Sequence, residues 1–360
     1  MKEELESILS HFPEVKDVTE ITPINSGLIN ATYKVTTGSA CSRDYILQRI
    51  NHHIFQDIDM LQRNLELVTG HIRKKLEERH ETDIDRKVLC FVPADNGKTY
   101  YYDGKEGYWR VSVFIPDSVT KETVNEETSE LVGIKFGEFE NFLSDLPEEI
   151  GEIIPNFHNM EFRLKQLKEA IADNKAGRLA SVQDIVDAIL KDADKMCEGE
   201  QLYREGKLPK RICHCDTKVS NMLFDKQGNV LCVIDLDTVM PNFVFSDFGD
   251  FLRSAANTGK EDEKDLEKVQ FNMDIFKAFA KGYLKSATFL TPVEKSHLPF
   301  AAKLFPYMQA VRFFADYLNG DTYYKIQYPE HNLVRTRAQL KLYQEAVKHE
   351  TEMQEYINSL

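Results

Sequence analysis

Apolar residues follow two different periods along the chain, and the change between them falls near residues 115–118. In the first third, short β-rich runs alternate with turn signals such as Asp95-Asn96-Gly97, which is typical of strands joined by turns. Residues 57–78 differ, because their apolar positions recur every three or four residues, as on one face of a helix. We therefore predict a small sheet of about five strands with one inserted helix. The predicted strands are 32–37, 45–50, 88–92, 99–102 and 109–115.

Beyond Pro116 the helical period dominates. The pattern predicts an α+β protein in two lobes: a small antiparallel β-rich lobe (1–115) and a mainly helical lobe (116–360). The predicted helices of the second lobe are 129–143, 161–172, 182–196, 264–286, 299–318 and 335–356.

One predicted β-hairpin interrupts the helical region. Its runs, 221–225 and 230–235, flank the turn-prone sequence Lys226-Gln227-Gly228-Asn229. A turn centred on Gly228 places Asn221 opposite Asp235, and facing residues of an antiparallel pair lie about 5 Å apart at Cβ. The hairpin therefore predicts a site where a hard cation such as Mg²⁺ binds oxygen atoms of both side chains.

The stretch before that hairpin carries the residue types of phosphoryl transfer. Asp216 can orient an attacking hydroxyl and accept its proton, and the ammonium of Lys218 can neutralise charge on the transferred group. Asn221 and Asp235 form an incomplete set of metal ligands, as expected where water and phosphates complete the shell of Mg²⁺. With His214 in a structural role, the stretch matches the pattern H-x-D-x-K-x-x-N of kinase catalytic loops. We therefore predict an ATP- and Mg²⁺-dependent phosphotransferase with Asp216 as catalytic base.

Two further aspartates need separate interpretations. The triplet Asp247-Phe248-Gly249 resembles a metal-binding motif of kinases, but it does not end the second strand of the hairpin. We interpret Asp247 as structural, in the position of a cap for a helix that begins near Phe248. Asp237 stays open between a carboxylate that faces metal or phosphate and a group that holds the loop. No G-x-x-x-x-G-K-[ST] motif occurs, which excludes a P-loop kinase.

Composition excludes other classes of function. The formal net charge is -14, so a nucleic-acid partner, which needs a basic surface, is not expected. No apolar stretch reaches the length of a membrane span or of a signal peptide. The 6 cysteines lie mostly in apolar runs, as buried thiols do in a reducing compartment. We expect a cytoplasmic protein that is a monomer or a weak dimer and that binds neither nucleic acid nor membrane.

On these motifs the chain resembles the aminoglycoside phosphotransferase and choline kinase-like family, a branch of the protein-kinase-like fold. The resemblance is greatest to the bacterial N-acetylhexosamine 1-kinases, which phosphorylate the anomeric hydroxyl of N-acetylglucosamine or N-acetylgalactosamine with ATP and Mg²⁺. The segments that carry it are 25–33, 45–48, 216–221, 234–241, 312–321 and 328–335.

The resemblance also implies a nucleotide site. Ser26 and Gly27 would lie in the turn that covers the phosphates. Gln48 would occupy the place of the third-strand lysine of kinases, so phosphate neutralisation would depend more on Mg²⁺ and Lys218. Phe114 and Ile115 would form the hinge that receives adenine.

The acceptor site implied by the resemblance includes Arg312, which would help to hold the sugar. Arg312 lies in an otherwise apolar and aromatic helix, where a buried arginine usually has a partner. Asp316 is one helical turn away, so a purely structural ion pair is the alternative. Tyr317, like the tyrosines at 323 and 324, could stack on a sugar or pack in the core.

Two other functions stay open at the level of sequence. The first is a kinase for another small acceptor, such as choline, an aminoglycoside or an amino alcohol. A cationic acceptor needs acidic or aromatic surroundings, and Arg312 in the pocket would oppose it. The second is a non-catalytic nucleotide-binding protein, which the intact set of Asp216, Asn221 and Asp235 disfavours.

Overall fold

The computed structural model describes residues 2–24, 29–38, 43–105 and 107–360. Its contacts divide the chain into two units. The first comprises Met1–Thr120, Asp145–Ile154 and Met222–Met240, and the second comprises Lys121–Ser144, Pro155–Asn221 and Pro241–Leu360. The strands are β1 (Val18–Ile24), β2 (Ala31–Thr37), β3 (Tyr45–Ile50), β4 (Phe91–Val92), β5 (Tyr101–Tyr102), β6 (Tyr108–Val113), β7 (Arg211–Cys213), β8 (Met222–Phe224), β9 (Val230–Val233) and β10 (Met240–Asn242).

The α-helices of the first unit lie at its N-terminus and between its third and fourth strands, and the remaining helices belong to the second unit. They are α1 (Lys2–Leu9), α2 (Ile58–Glu78), α3 (Glu126–Leu143), α4 (Met160–Asp173), α5 (Gln183–Met196), α6 (Glu198–Arg204), α7 (Phe245–Ala255), α8 (Met273–Ser286), α9 (Pro292–Ser296), α10 (Leu298–Asn319), α11 (His331–Lys348) and α12 (Glu350–Ser359).

The first unit is built on an antiparallel sheet in the order β1-β2-β3-β6-β4, with β5 also paired to β6. Alternate residues of these strands, such as Val35, Leu47 and Val111, are fully buried and pack with the apolar face of α1. This alternation gives the sheet one core face, as the period of two in the sequence requires.

Strands β8 and β9 form a separate hairpin in the first unit. Met222 pairs with Val233 and Leu223 with Cys232, but an irregularity follows, and Phe224 pairs with Val230. The Asp225 side chain closes the turn by accepting hydrogen bonds from the backbone N–H groups of Gln227 and Asn229, at 2.9 and 2.8 Å. The hairpin was predicted correctly, but its strands are shorter than expected.

The second unit is helical and is organised around α10, which is buried on nearly all sides. It packs against α11, α7 and α4, while α3 and α8 form another extensive contact. Glycine permits that second contact, because a Cβ on Gly282 would lie 2.0 Å from the carbonyl oxygen of Glu130. Asparagine side chains cap the N-termini of α3, α4 and α8.

Two further expectations concern the whole chain. None of the helices in the described ranges combines the length and apolar character that a membrane crossing requires. Five of the cysteines are free thiols, and Cys41 lies outside the described residues.

Candidate active site

The predicted catalytic loop lies in the second unit, between β7 and a 3-10 turn at Val219–Asn221. Cys215 precedes the predicted base and has a φ of 63°, in the left-handed region that non-glycine residues rarely adopt. Such a conformation costs on the order of 1–3 kcal/mol and persists only where the surroundings enforce it. The loop is therefore held in a specific shape directly before Asp216.

Asp216 is partly exposed and has two side-chain donors. Lys218 Nζ and Asn221 Nδ2 each lie 3.0 Å from its Oδ2 atom. Burial raises the pKa of Asp216, but the charges of Lys218 and His214 and the hydrogen bonds from Lys218 and Asn221 outweigh it, and the pKa is lowered overall. Asp216 is therefore a carboxylate at neutral pH, ready to accept a hydrogen bond from an incoming hydroxyl.

The side chain of Asp247 binds the backbone of this loop. Its two carboxylate oxygens accept hydrogen bonds from the backbone N–H groups of His214 and Cys215, both at 2.7 Å. The Thr217 hydroxyl donates to the Asp247 carbonyl at 2.6 Å. The structural interpretation of Asp247 therefore fits, but its role as a helix cap is wrong: Asp247 lies inside α7, and its side chain binds the loop.

A buried group of possible metal ligands surrounds Asp247: ligand atoms of Glu140, Cys213 and Asp247 lie within 4.8 Å of one another. Burial, and then the charge of Asp247, raise the pKa of Glu140 well above its ordinary value. The raised pKa favours the protonated form of Glu140, and the Tyr283 hydroxyl donates to its Oε2 atom. Burial also raises the pKa of Asp247. A proton held between these two acidic groups accounts for their proximity without a cation.

Asp235, the second predicted metal ligand, lies in the first unit, separated from the end of β9 by Ile234. It is exposed, and it has a φ of 59° and a ψ of 53°, which makes it another left-handed non-glycine residue at a predicted functional position. The expected pairing of Asn221 with Asp235 in the hairpin ladder is wrong. The ladder begins at Met222 and Val233, and both predicted ligands lie outside it: Asn221 ends one 3-10 turn, and Asp235 directly precedes another.

The predicted nucleotide residues in the described part of the chain belong to the first unit. Gln48 Nε2 donates to Thr32 Oγ1 at 3.3 Å, so the side chain is held across β2 and β3. Phe114 lies 4.4 Å beneath the ammonium of Lys34, and buried Ile115 packs with apolar residues of the β8–β9 hairpin. Ser26 and Gly27 lie outside the described residues.

Arg110 is a functional candidate that the sequence pattern did not reveal. It lies on β6 opposite Gln48, and its guanidinium forms a buried, two-pronged ion pair with Asp237. A charged residue within the otherwise uncharged strand Tyr108–Val113 was the available signal. The pair indicates that Asp237 holds the loop after Asp235, one of the two roles left open above.

Arg312 lies in the second unit, with its guanidinium between two aromatic rings. Its central carbon is 5.3 Å from the ring centre of Phe157 and 5.7 Å from that of Tyr324. Gln309 Oε1 accepts a long hydrogen bond of 3.3 Å from its Nη1 atom. Within the described ranges no carboxylate forms an ion pair with Arg312. A stacked guanidinium without such a partner can donate hydrogen bonds to a ligand.

The alternative of an ion pair between Arg312 and Asp316 is wrong. The Asp316 carboxylate instead accepts hydrogen bonds from the backbone N–H groups of residues 322–324, at 2.9 to 3.0 Å. Asn332 Nδ2 adds a fourth, at 2.9 Å. Asp316 therefore shapes the loop that brings Tyr324 beside Arg312. Tyr317 is elsewhere, buried beneath the guanidinium of Arg178 at 4.6 Å, which favours packing.

Arg312 is one of three arginines whose charges act on the same buried histidine, His158. Burial, together with the charge of Arg312, lowers the pKa of Arg163 to about 10. Burial and the charges of Arg312, Arg163 and Arg253 lower the pKa of His158 well below its ordinary value, so this histidine is neutral. Arg253 is paired with Asp250 and with Glu261, each at 3.0 Å. Among the described residues no carboxylate forms an ion pair with Arg163 or Arg312.

The chain belongs to the phosphotransferase enzyme family (APH), whose model matches residues 20–279. Solved kinases share its fold. An aminoglycoside phosphotransferase from Alicyclobacillus acidocaldarius has a TM-score of 0.64 at 12% identity, over 99% of this chain and 96% of that one. A choline kinase from Cryptosporidium parvum has a TM-score of 0.57 at 14% identity, over 100% and 99%. An amicoumacin kinase in complex with AMP-PNP, Ca²⁺ and Ami has a TM-score of 0.58 at 15% identity, over 96% of both chains.

These comparisons confirm the predicted fold class, which is α+β with an antiparallel N-terminal sheet and a mainly helical C-terminal part. They also confirm that the chain is a member of a phosphotransferase family. At such low identity the solved structures show the fold alone.

Proposed function

We propose that this protein transfers the γ-phosphoryl group of ATP to the anomeric hydroxyl of an N-acetylhexosamine, with Asp216 as the base and Mg²⁺ as the metal. The observation that carries the proposal is the loop around Asp216. Its carboxylate is ionised, partly exposed, and fixed by Lys218 and Asn221 at 3.0 Å. In phosphoryl transfer the protein contributes positioning and charge stabilisation, so an oriented carboxylate suits the task.

The donor set supports magnesium as the metal. Asn221 uses its amide nitrogen to hold the Asp216 carbonyl and carboxylate, at 2.9 and 3.0 Å, which leaves its amide oxygen as the ligand atom. Asp235 contributes an exposed carboxylate, and both oxygens are hard donors of the kind that Mg²⁺ selects. When bound, the ion neutralises phosphate charge. Lys218, beside Asp216, would neutralise charge on the transferred group.

The surroundings of Arg312 support a neutral acceptor over a cationic one. Choline and aminoglycosides carry positive charge, which Arg312 and Arg163 would repel. Hydroxyl and acetamido oxygens of a sugar accept hydrogen bonds from a guanidinium, and Phe157 and Tyr324 offer rings for the apolar faces of a sugar. The alternative is a kinase for another class of small acceptor: choline, an aminoglycoside or an amino alcohol.

A panel of acceptors tests the proposal. The purified chain, with ATP and Mg²⁺, is scored for ADP release on N-acetylglucosamine, N-acetylgalactosamine, glucose, choline, ethanolamine and kanamycin. We expect turnover on at least one N-acetylhexosamine and none on the cations. Turnover on choline or kanamycin alone would replace the sugar with the alternative acceptor class.

Arg312→Ala should raise the KM for the sugar about 10- to 100-fold, since hydrogen bonds from a charged group contribute about 1.5–3 kcal/mol. The KM for ATP should not change. Arg178→Ala is the matched control, because Arg178 also stacks on a tyrosine but is paired with Asp321. We expect Arg178→Ala to lower the melting temperature without changing the KM for the sugar. If Arg312→Ala has the same effect, Arg312 has a structural role.

A further inference from the structure

The ion pair between Arg110 and Asp237 is the starting point. Both side chains are nearly inaccessible, at 4% and 3% exposure, and Nη1 and Nη2 of Arg110 lie 2.5 and 2.8 Å from the two carboxylate oxygens of Asp237. Removing two charges from water often costs as much as their attraction returns, so such a pair adds little to stability by itself. The two-pronged contact therefore needs an explanation other than stability.

Neighbouring side chains complete the hydrogen bonds of the pair. Arg110 Nε donates to Gln48 Oε1 at 3.0 Å, and Asn30 Nδ2 donates to Asp237 Oδ2 at 2.7 Å. The Asn30 side-chain oxygen in turn accepts from the backbone N–H of Asn51 at 2.9 Å. The network therefore connects Asp237 to Arg110 on β6 and, through Arg110, to Gln48 on β3. It also connects Asp237 to Asn30, directly before β2, and through Asn30 to Asn51, directly after β3.

Asp237 is the middle residue of the 3-10 turn Leu236–Thr238, which begins directly after Asp235. The backbone N–H of Val239 closes this turn on the carbonyl of Leu236 at 3.0 Å. Because the turn is anchored at Asp237, the backbone of Asp235 is kept in its left-handed conformation, and its carboxylate stays exposed.

We propose that Arg110 and Asp237 are positioning residues, which hold Asp235 in the orientation needed to bind the metal of the nucleotide complex. The proposal rests on the proposed function, in which Asp235 is a metal ligand. Asp237 is itself poorly placed to bind the ion, because both of its oxygens already accept hydrogen bonds from Arg110 and one also accepts from Asn30. Arg110 is a buried cation on the strand next to Gln48. By resemblance, Gln48 occupies the place of the third-strand lysine of kinases.

The test measures metal-dependent nucleotide binding, with no need for turnover. Calorimetry gives the affinity of the whole chain for a non-hydrolysable ATP analogue, in Mg²⁺ and in EDTA, and the ratio of the two affinities is the metal increment. In Asp237→Asn and Arg110→Lys we expect this increment to fall about 10- to 100-fold, the usual loss when a partner of a metal ligand is changed. Affinity in EDTA should stay near that of wild type.

A variant that lacks one charge could unfold, so a double variant accompanies the single ones. Arg110→Met with Asp237→Leu leaves no buried charge unpaired and should fold, yet it lacks the two-pronged pair. Glu294→Gln is the matched control, because it weakens the two-pronged pair between Arg211 and Glu294 in the second unit. We expect the control to lower the melting temperature and to leave the metal increment unchanged.

Two outcomes separate the failure of this inference from that of the proposed function. If Asp235→Ala abolishes the metal increment while the folded double variant keeps it, the positioning role of Arg110 and Asp237 is wrong. If Asp235→Ala also keeps the increment, the metal role of Asp235 fails, and the inference fails with it.

Discussion

Asp216→Asn should lower kcat by about 10²- to 10⁴-fold, the range that a positioned base contributes. The amide keeps the size of the side chain and can still contact Asn221, but it cannot accept the proton of the attacking hydroxyl. Affinity for the Mg²⁺ complex of a non-hydrolysable ATP analogue should change little. Rates from rapid quench and affinities from calorimetry measure the two effects separately.

The pH dependence provides an independent check on this base. Because the pKa of Asp216 is lowered, protonation of this carboxylate should not reduce wild-type activity until the pH drops below 3.8, the ordinary pKa of an aspartate.

The substitution itself has a contradicting outcome. An Asp216→Asn variant that keeps a tenth of the wild-type rate would remove Asp216 from the role of base.

Asp235→Ala should weaken binding of the Mg²⁺–nucleotide complex by about 100-fold, because even the partners of metal ligands contribute about 10- to 100-fold to affinity. Binding in EDTA should be retained, since the carboxylate is proposed to act through the ion. Titration of the variant with Mg²⁺ at fixed nucleotide concentration, followed by calorimetry, measures the effect.

Asp225→Ala is the control for that experiment, because Asp225 is a carboxylate at the other end of the same hairpin. Its side chain closes the turn by accepting hydrogen bonds from Gln227 and Asn229. We expect Asp225→Ala to lower stability without changing the Mg²⁺ dependence. An unchanged Mg²⁺ dependence in Asp235→Ala would remove Asp235 from the role of metal ligand.

The sequence predicted best those elements whose periodicity is strong. Residues 45–50 form β3 as expected, and α2 starts one residue after its predicted start because the side chain of Asp57 caps it. Strand β1 was missed, since it is an edge strand among the described strands, contains Pro23 and alternates weakly between apolar and polar residues. Tertiary pairing with β2 decides its conformation.

Two helices show where periodicity misled the prediction. The segment 264–286 was expected to be one helix, but α8 begins only after Asn272, whose side chain caps it. The preceding residues form a short 3-10 turn and a β-bridge between Asn257 and Phe271. The final helix is broken at His349, so α11 and α12 are separate. A cap and a β-bridge set the start of α8, whereas the break at His349 has no side-chain cap.

Within the candidate site, the sequence predicted the short motif of the catalytic loop but not the hydrogen-bond partners that lie far away in the chain. The spacing of Asp216, Lys218 and Asn221 predicted that they share one loop, and in the structure both Lys218 and Asn221 donate hydrogen bonds to Asp216. The partners of Asp316 and of Asp237 were not predictable in this way. The first binds the backbone of a loop, and the second binds an arginine 127 positions earlier in the chain. Sequence spacing suggested that Asp316 pairs with Arg312, one helical turn away. The conformation of the following loop decides the donors of Asp316, and the strand register decides that Arg110 is the donor for Asp237.

The most direct test of the central claim is the ³¹P NMR spectrum of the product formed from N-acetylglucosamine or N-acetylgalactosamine with ATP and Mg²⁺. The methyl glycoside of each sugar, whose anomeric oxygen is blocked, is the matched substrate control. We predict a sugar 1-phosphate from the free sugar, seen by coupling of phosphorus to the anomeric proton, and no product from the methyl glycoside. Phosphorylation of the methyl glycoside, or coupling to a proton at another carbon, would contradict transfer to the anomeric hydroxyl.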